Sequence, residues 1–182
     1  MGILNLSGDV ALSGNGTAFG NSAASWSDAP PGTIIQTVFG TTSAEVQSTT
    51  TSYAAIGLNA TITPNRSDSK ILILASIQLR IFTDTNDNGA SIGIRKTISG
   101  TQTNILTRSQ GYEVGYTTRN DFNSSPSISH RVPLYHLDSP ATTAAITYDI
   151  IGRSRSAAGN NKVEFQDDDE FGSEIILMEV AG

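Results

Sequence analysis

The chain has 182 residues, enough for one domain with a substantial core and an appended segment. It contains no cysteine, which excludes disulfides, thiolate metal sites and cysteine nucleophiles. The 11 lysine and arginine residues are outnumbered by 17 aspartate and glutamate residues, and the net charge of -6 argues against nucleic acid as a partner.

The sequence also argues against a membrane partner. The longest aliphatic run, residues 71–75, is far shorter than the roughly 20 residues that a membrane-spanning helix requires. Met1 is followed by neither the basic segment nor the apolar segment of a signal peptide. We therefore expect a soluble and unprocessed protein.

Residues 1–32 differ in composition from the rest of the chain. They are rich in glycine, serine, asparagine and alanine and end in the stiff sequence Ala29-Pro30-Pro31-Gly32. One interpretation is a flexible tail, because the segment has too few apolar residues for a core of its own. We favour an extended anchoring arm with a Pro-Pro hinge, because exposed aromatic side chains cost solubility. The apolar residues that the arm would lay on another chain are Ile3, Leu4, Leu6, Val10, Leu12, Phe19 and Trp26.

Residues 71–82, with the sequence ILILASIQLRIF, form the longest period-two pattern in the chain. Their odd-numbered positions are all apolar and predict one buried face of an extended strand. A helix would scatter these side chains around its circumference, and β-branched isoleucine favours a pleated surface. We predict a half-buried central strand whose other face carries Leu72, Leu74, Ser76, Gln78, Arg80 and Phe82.

Further short segments with strand patterns are separated by turn residues. Residues 104–107 are expected to pair with residues 91–98 across the turn at 99–101, and Pro133 indicates an edge strand or a bulge. Residues 111–127 are interpreted as a loop. The remaining predicted strands are 33–39, 58–63, 128–137, 145–152, 162–165 and 174–181. With no long helix, the pattern predicts an all-β fold over residues 33–182, an antiparallel two-sheet sandwich that is jelly-roll-like.

Two acidic segments are candidate metal sites. Residues 84–89 match the first half of a calcium loop, in which Asp84, Asn86 and Asn88 would be the ligands. The position of the bidentate glutamate holds Arg95 instead, so a hairpin turn is the favoured interpretation. The acidic run at residues 167–170 is favoured as a solvated loop, because consecutive carboxylates repel one another. We assign no metal and expect no cofactor.

The sequence gives little support for catalysis. His130 and His136 are the only histidines, and on a regular strand they project from one face about 20 Å apart, too far to share a metal. The many serines and the two histidines leave a catalytic triad as an alternative, but no residue pattern selects one. No G-x-S-x-G, H-E-x-x-H or phosphate-binding glycine loop occurs in the sequence. We therefore expect a protein that is not an enzyme.

Several segments of the chain resemble a module found in structural proteins of tailed phages, including those of marine and freshwater phages. The resemblance covers residues 32–182. Its motifs are structural rather than catalytic. The segments are GTIIQTV at 32–38, STTTSY at 48–53, GLNATITP at 57–64, SDSKILI at 67–73, DSP at 138–140 and ILMEVAG at 176–182.

The resemblance implies a jelly-roll-like head on the surface of a phage particle, usually a homotrimer. Met1 precedes the domain by only about thirty residues, which leaves no room for a long fibre shaft and favours a capsid decoration or cement protein. The expected partner is the major capsid protein of the same virion, with the arm lying along it or along a neighbouring copy. The expected location is the capsid surface, after synthesis in the host cytoplasm.

The main alternative is a short tail fibre or receptor-binding knob that adheres to the host surface. Its candidate receptor loop carries Tyr112, Tyr116 and Phe122. A virion-associated hydrolase is the third and least favoured class.

Overall fold

The computed structural model describes residues 29–84, 87–118, 126–166 and 172–182. All regular structure in these ranges is β-strand, and none of it is a helix that could span a membrane. The strands are β1 (Ile34–Thr42), β2 (Val46–Ser48), β3 (Ala54–Ile62), β4 (Lys70–Phe82), β5 (Asp87–Ile98), β6 (Thr101–Leu106), β7 (Gly115–Thr118), β8 (Ser127–Asp138), β9 (Ile146–Ser154), β10 (Lys162–Phe165) and β11 (Ser173–Val180).

The strands form two antiparallel sheets. In sheet A, β8 lies along one edge of β4, while β11 and β10 follow one another along the other edge. Strand β1 lies outside β11, and β2 lies outside β10. In sheet B, β9 lies between β3 and β5, and β6 and β7 share the far edge of β5. The predicted all-β antiparallel sandwich is confirmed.

The order of the main strands is that of a jelly roll. Sheet A reads β1-β11-β4-β8 and sheet B reads β3-β9-β5-β6, so strands early and late in the chain are neighbours. Strands β2, β7 and β10 are short additions beside these eight. Each sheet therefore contains strands from both halves of the chain, and many of the paired strands are far apart in the sequence.

Strand β4 supplies one side of the core, as its alternating pattern predicts. All six of its odd-numbered residues are buried, none more than 8% exposed, and they face sheet B. Full burial of such a side chain contributes about 1.5–3 kcal/mol. The opposing side chains come chiefly from β3, β5 and β9, and include Ile56, Leu58, Ile62, Ile94, Ile146, Tyr148 and Ile150.

The turn between β5 and β6 explains why their pairing could be predicted. Ser99 has φ 49° and Gly100 has φ 83°, so both lie in the left-handed region that a tight two-residue hairpin turn requires. Arg95 pairs with Asn104 and Ile98 pairs with Thr101 across it. The predicted pairing is confirmed, but β6 begins at Thr101, inside the predicted turn, and ends at Leu106 rather than at residue 107.

Two strands occur where none was predicted. Strand β2 has three residues, and β7 lies inside residues 111–127, which were interpreted as a loop. Strand β5 also begins at Asp87, four residues before the predicted start at residue 91. The physical reason is tertiary pairing: Asp87 to Ala90 pair with β7, although asparagine and glycine have poor strand propensity.

One end of the sandwich, which we call the base, contains residues 29–33, 63–69 and 139–145. The chain joins it through backbone hydrogen bonds between Gly32, Thr33 and Ala181. Arg66 Nη1 also donates to the carbonyl of Ala29 at 3.0 Å. The described chain therefore enters the domain at the base, and the opposite end, with residues 83–84, 107–114 and 155–161, is called the apex.

Buried polar groups tie the base together. Glu179 is fully buried and accepts hydrogen bonds from Gln36 Nε2 at 2.6 Å and from the backbone N–H of Asn65 at 2.8 Å. Tyr148 donates to Asp138 at 2.8 Å, and Asp138 also pairs with Lys96. Burial raises the pKa of Tyr148, and the bond to Asp138 raises it further, so the phenol stays a neutral donor.

Candidate interaction surface

Strand register places apolar side chains side by side across the outer face of sheet A. Phe39 of β1 pairs with Ile176 of β11, Ile176 pairs with Leu74 of β4, and Leu74 pairs with Tyr135 of β8. The next row towards the base contains Met178, Leu72 and Leu137 in the same way. Together these seven residues form what we call the apolar band: Phe39, Leu72, Leu74, Tyr135, Leu137, Ile176 and Met178.

The apolar band is exposed most at its two ends. Tyr135 is 78% exposed, Phe39 is 69% exposed and Leu137 is 51% exposed, whereas the four residues between them are half-buried. A depression of about 240 Å³ lies at the border of the band towards the apex, lined by Leu74 and Ile176 of the band and by Ser76 and Glu174 beyond it. Exposed apolar patches of this kind are typical of the surfaces through which proteins contact other macromolecules.

Polar side chains border the band. Towards the apex the outer face of β4 continues with Ser76, Gln78 and Arg80. Arg131 donates to Ser76 Oγ at 3.1 Å and lies 3.9 Å from the carboxylate of Glu174. An apolar centre with a polar border is the usual anatomy of a protein interface.

Strand β8 is an edge strand of sheet A among the described residues. The backbone N–H of Gln78 donates to Ser173 Oγ and its carbonyl accepts from Gln166, both on the side away from β8. The backbone of Gln78 is therefore not bonded to its partner Arg131 on β8, and the backbone N–H and C=O of Arg131 point towards the free edge of the sheet. Backbone direction repeats every second residue along a strand, so the backbone of Pro133 points the same way. Proline costs no ladder bond there, so the predicted edge position of Pro133 is confirmed.

The structure brings two of the three predicted receptor-loop residues together at the apex. The rings of Tyr112 and Tyr116 are 5.8 Å apart in an edge-to-face arrangement, and Phe122 lies outside the described residues. The Arg155 guanidinium lies 5.2 Å and 5.1 Å from their ring centres and pairs with Asp87. The Tyr116 hydroxyl and the charge of Asp87 raise the pKa of Arg155. Sequence reasoning missed Arg155 and Asp87, because strand pairing alone brings them to this loop.

The candidate calcium ligands have structural partners at the apex. Asp84 accepts hydrogen bonds from the backbone and side chain of Asn160, at 3.2 Å and 3.1 Å. Asn88 is fully buried, and its Oδ1 accepts from Ser154 Oγ at 2.9 Å and from the N–H of Ser156 at 3.2 Å. Asn86 and the acidic run 167–170 lie outside the described residues. Within the ranges that are described, no three histidine, aspartate or glutamate side chains gather as metal ligands would.

Both histidines lie on β8 beside a groove between β8 and β6. The groove has a volume of about 720 Å³ and is lined by His130, His136, Arg108 and Glu113 among others. His130 Nε2 lies 2.6 Å from the carbonyl oxygen of Val114. A carbonyl oxygen only accepts hydrogen bonds, so Nε2 is a ring nitrogen that carries a hydrogen and donates it. That nitrogen is therefore used to hold the loop before β7.

The anchoring-arm residues Ile3, Leu4, Leu6, Val10, Leu12, Phe19 and Trp26 all lie outside the described residues. Their role therefore stays a prediction.

No protein-family model matches the chain, and neither does any curated protein. Among solved structures, the chain is similar to infectious bursal disease virus of the Gx strain, at 14% identity and a TM-score of 0.35, covering 82% of this chain and 33% of that one. It is also similar to the VP2 subviral particle of infectious bursal disease virus, at 12% identity and a TM-score of 0.34, covering 82% and 39% of the two chains. The chain thus spans a third to two fifths of these viral chains, and overlap at this level carries no argument about function.

Proposed function

We propose that this chain is a non-enzymatic structural protein of a phage virion, a decoration or cement protein that binds the outer surface of the head as a homotrimer. The apolar band carries the proposal, because an exposed apolar surface across four strands suits a protein that works by assembly. The resemblance of residues 32–182 to structural proteins of tailed phages points to the same class. The major capsid protein is the proposed partner.

In this proposal the two ends of the domain have different tasks. The chain enters at the base, where Arg66 holds the carbonyl of Ala29, so the anchoring arm departs from that end. The arm's apolar residues would bind capsid proteins, and the apex would face outwards. Contacts to adjacent capsomers would add buried area that resists the pressure of packaged DNA.

Removal of residues 1–26 is expected to leave a folded domain that no longer attaches to particles. Every described core residue lies outside the deleted segment, so the sandwich keeps its buried contacts. Cosedimentation with particles stripped of the protein measures attachment. A matched control keeps the arm's length but replaces its seven apolar residues with serine, and it should also fail to attach. Undiminished attachment of the deletion variant would show that the sandwich itself is the docking surface.

The alternative is a receptor-binding knob, which the aromatic cluster at the apex favours. Tyr112 and Tyr116 are 43% and 44% exposed, and the cation of Arg155 lies beside them. If this alternative holds, the purified protein binds host cells and the double variant Tyr112→Ser/Tyr116→Ser loses that binding. A screen for polysaccharide cleavage tests the third class, a virion-associated hydrolase.

A further inference from the structure

We propose that the apolar band is the surface through which copies of this chain bind one another. The inference rests on the homotrimer of the proposed function and deepens it by naming the contact surface. The occupant of the band is a second copy of the domain.

The size of the face fits a contact between folded domains. Four strands spaced about 4.8 Å apart, with about ten residues each at 3.3 Å per residue, give sheet A an outer face of roughly 600 Å². Each partner in a stable interface contributes about 800 Å². The face and its adjoining edge at β8 therefore approach the area that a second copy needs, with the band at the centre.

The composition of the face also fits. The band contains Phe39, Tyr135 and Met178, residue types that are enriched in interfaces. Its border carries both signs of charge, with Lys70 and Arg131 against Glu174. Two copies can therefore meet there without like-charge repulsion, although the whole chain has a net charge of -6.

The face offers both halves of a heterologous contact. Tyr135 is exposed on β8, and the depression of about 240 Å³ lies on the neighbouring strands β4 and β11, where Leu74 and Ile176 line it. In a closed ring of three copies, Tyr135 of each copy can enter the depression of the next. Glu174 lines the hollow with a side chain that is 60% exposed, so its carboxylate can accept the hydroxyl of an entering tyrosine.

Contact through the face is favoured over strand addition at the edge of β8. Pro133 turns towards that free edge and offers no N–H to an added strand. Contacts between side chains on the outer face of sheet A do not need backbone N–H groups. We therefore infer a contact of side chains on sheet A rather than a continuous sheet between copies.

The experiment measures the mass of the full chain by light scattering and sedimentation over a wide range of dilution. We expect a wild-type oligomer and a dissociation constant about 30-fold higher or more for Tyr135→Ser, the loss typical of a tyrosine that fills a pocket of its partner. Leu74→Asp should be monomeric. Gln102→Asp, at an exposed position of β6 in sheet B and therefore away from this face, should match the wild type, and circular dichroism should be unchanged in all three variants.

A monomeric wild type would overturn the inference and leave the band to the arm or to the capsid protein. An oligomer that survives both band variants would also overturn it. These failures differ from failure of the proposed function. If the oligomer depends on the band but the protein is absent from particles, only the proposed function is contradicted. If the protein is bound to particles and both band variants still form the oligomer, only this inference is contradicted.

Discussion

Replacing Ile77 with aspartate is expected to unfold the sandwich. Ile77 is completely buried in the middle of β4 and pairs with Val132 of β8. The variant loses about 2–3 kcal/mol of apolar burial and places a carboxylate where no water can reach it, at a cost of several kcal/mol more. The sum of about 5 kcal/mol or more reaches the whole stability of many domains.

Urea denaturation followed by circular dichroism measures this effect. Ile77→Val should remain folded and lose about 1 kcal/mol, because it removes a single methyl group. Gln78→Asp changes the neighbouring residue on the outer face of β4 and should stay within about 0.5 kcal/mol of the wild type. A cooperative melt of Ile77→Asp near the wild-type midpoint would mean that β4 is not the centre of the core.

Replacing Glu179 with alanine is expected to cost about 3 kcal/mol, because it leaves buried donors without an acceptor. Its carboxylate accepts from Asn65 N at 2.8 Å, Arg66 N at 3.2 Å and Gln36 Nε2 at 2.6 Å. These bonds join the end of β11 to β1 and to the turn between β3 and β4. Thermal unfolding measures the loss, and Glu45→Ala, at an exposed position outside the strands, is the matched control.

The contribution of Glu179 depends on pH in a direction that the structure defines. Burial alone would raise the pKa of Glu179, but hydrogen bonds from Gln36 and Asn65 outweigh it and hold the pKa below its usual value of 4.5. A lowered folded-state pKa stabilises the protein above pH 4.5, and this part is lost as the pH falls through the folded-state pKa. The stability gap between the wild type and Glu179→Gln should therefore narrow in acid. A gap that is constant between neutral pH and pH 3 would contradict this account.

Periodicity predicted the strands that carry the core. In β4, the alternation of six apolar residues is decisive, because no helix can bury them on one side. Strand β10 was predicted with the bounds that the structure has, since turn residues flank a short strand pattern. The jelly-roll-like sandwich was predicted from the general strand pattern and from the resemblance. The order of the strands within the two sheets was not predicted, because pairing between strands far apart in the chain leaves no local signal.

Weak local propensity hid other elements. Strand β7, with the sequence GYTT, and the start of β5, with DNGA, become strands by pairing with each other. Neither segment alternates between apolar and polar residues, so only the fold around them specifies their conformation. Asn88 shows the same limit, since its calcium-loop pattern gave no sign that it is buried beside Ser154.

Only part of the apolar band can be recognised from the sequence. Leu72 and Leu74 interrupt the polar face of residues 71–82, a departure from simple alternation that the sequence shows by itself. The band itself depends on register, because Phe39 and Tyr135 are far apart in the chain and lie in one row only after β11 and β4 are placed between them. Sequence patterns along a strand cannot give such a row.

The number of copies of this chain in each purified particle decides whether it decorates a phage head. Quantitative mass spectrometry against the major capsid protein gives this number. We expect many copies in a simple ratio to the capsid protein, as binding across the lattice requires. A few copies per particle would place the chain at the tail or at a vertex and favour receptor binding, and absence from particles would contradict a virion role altogether.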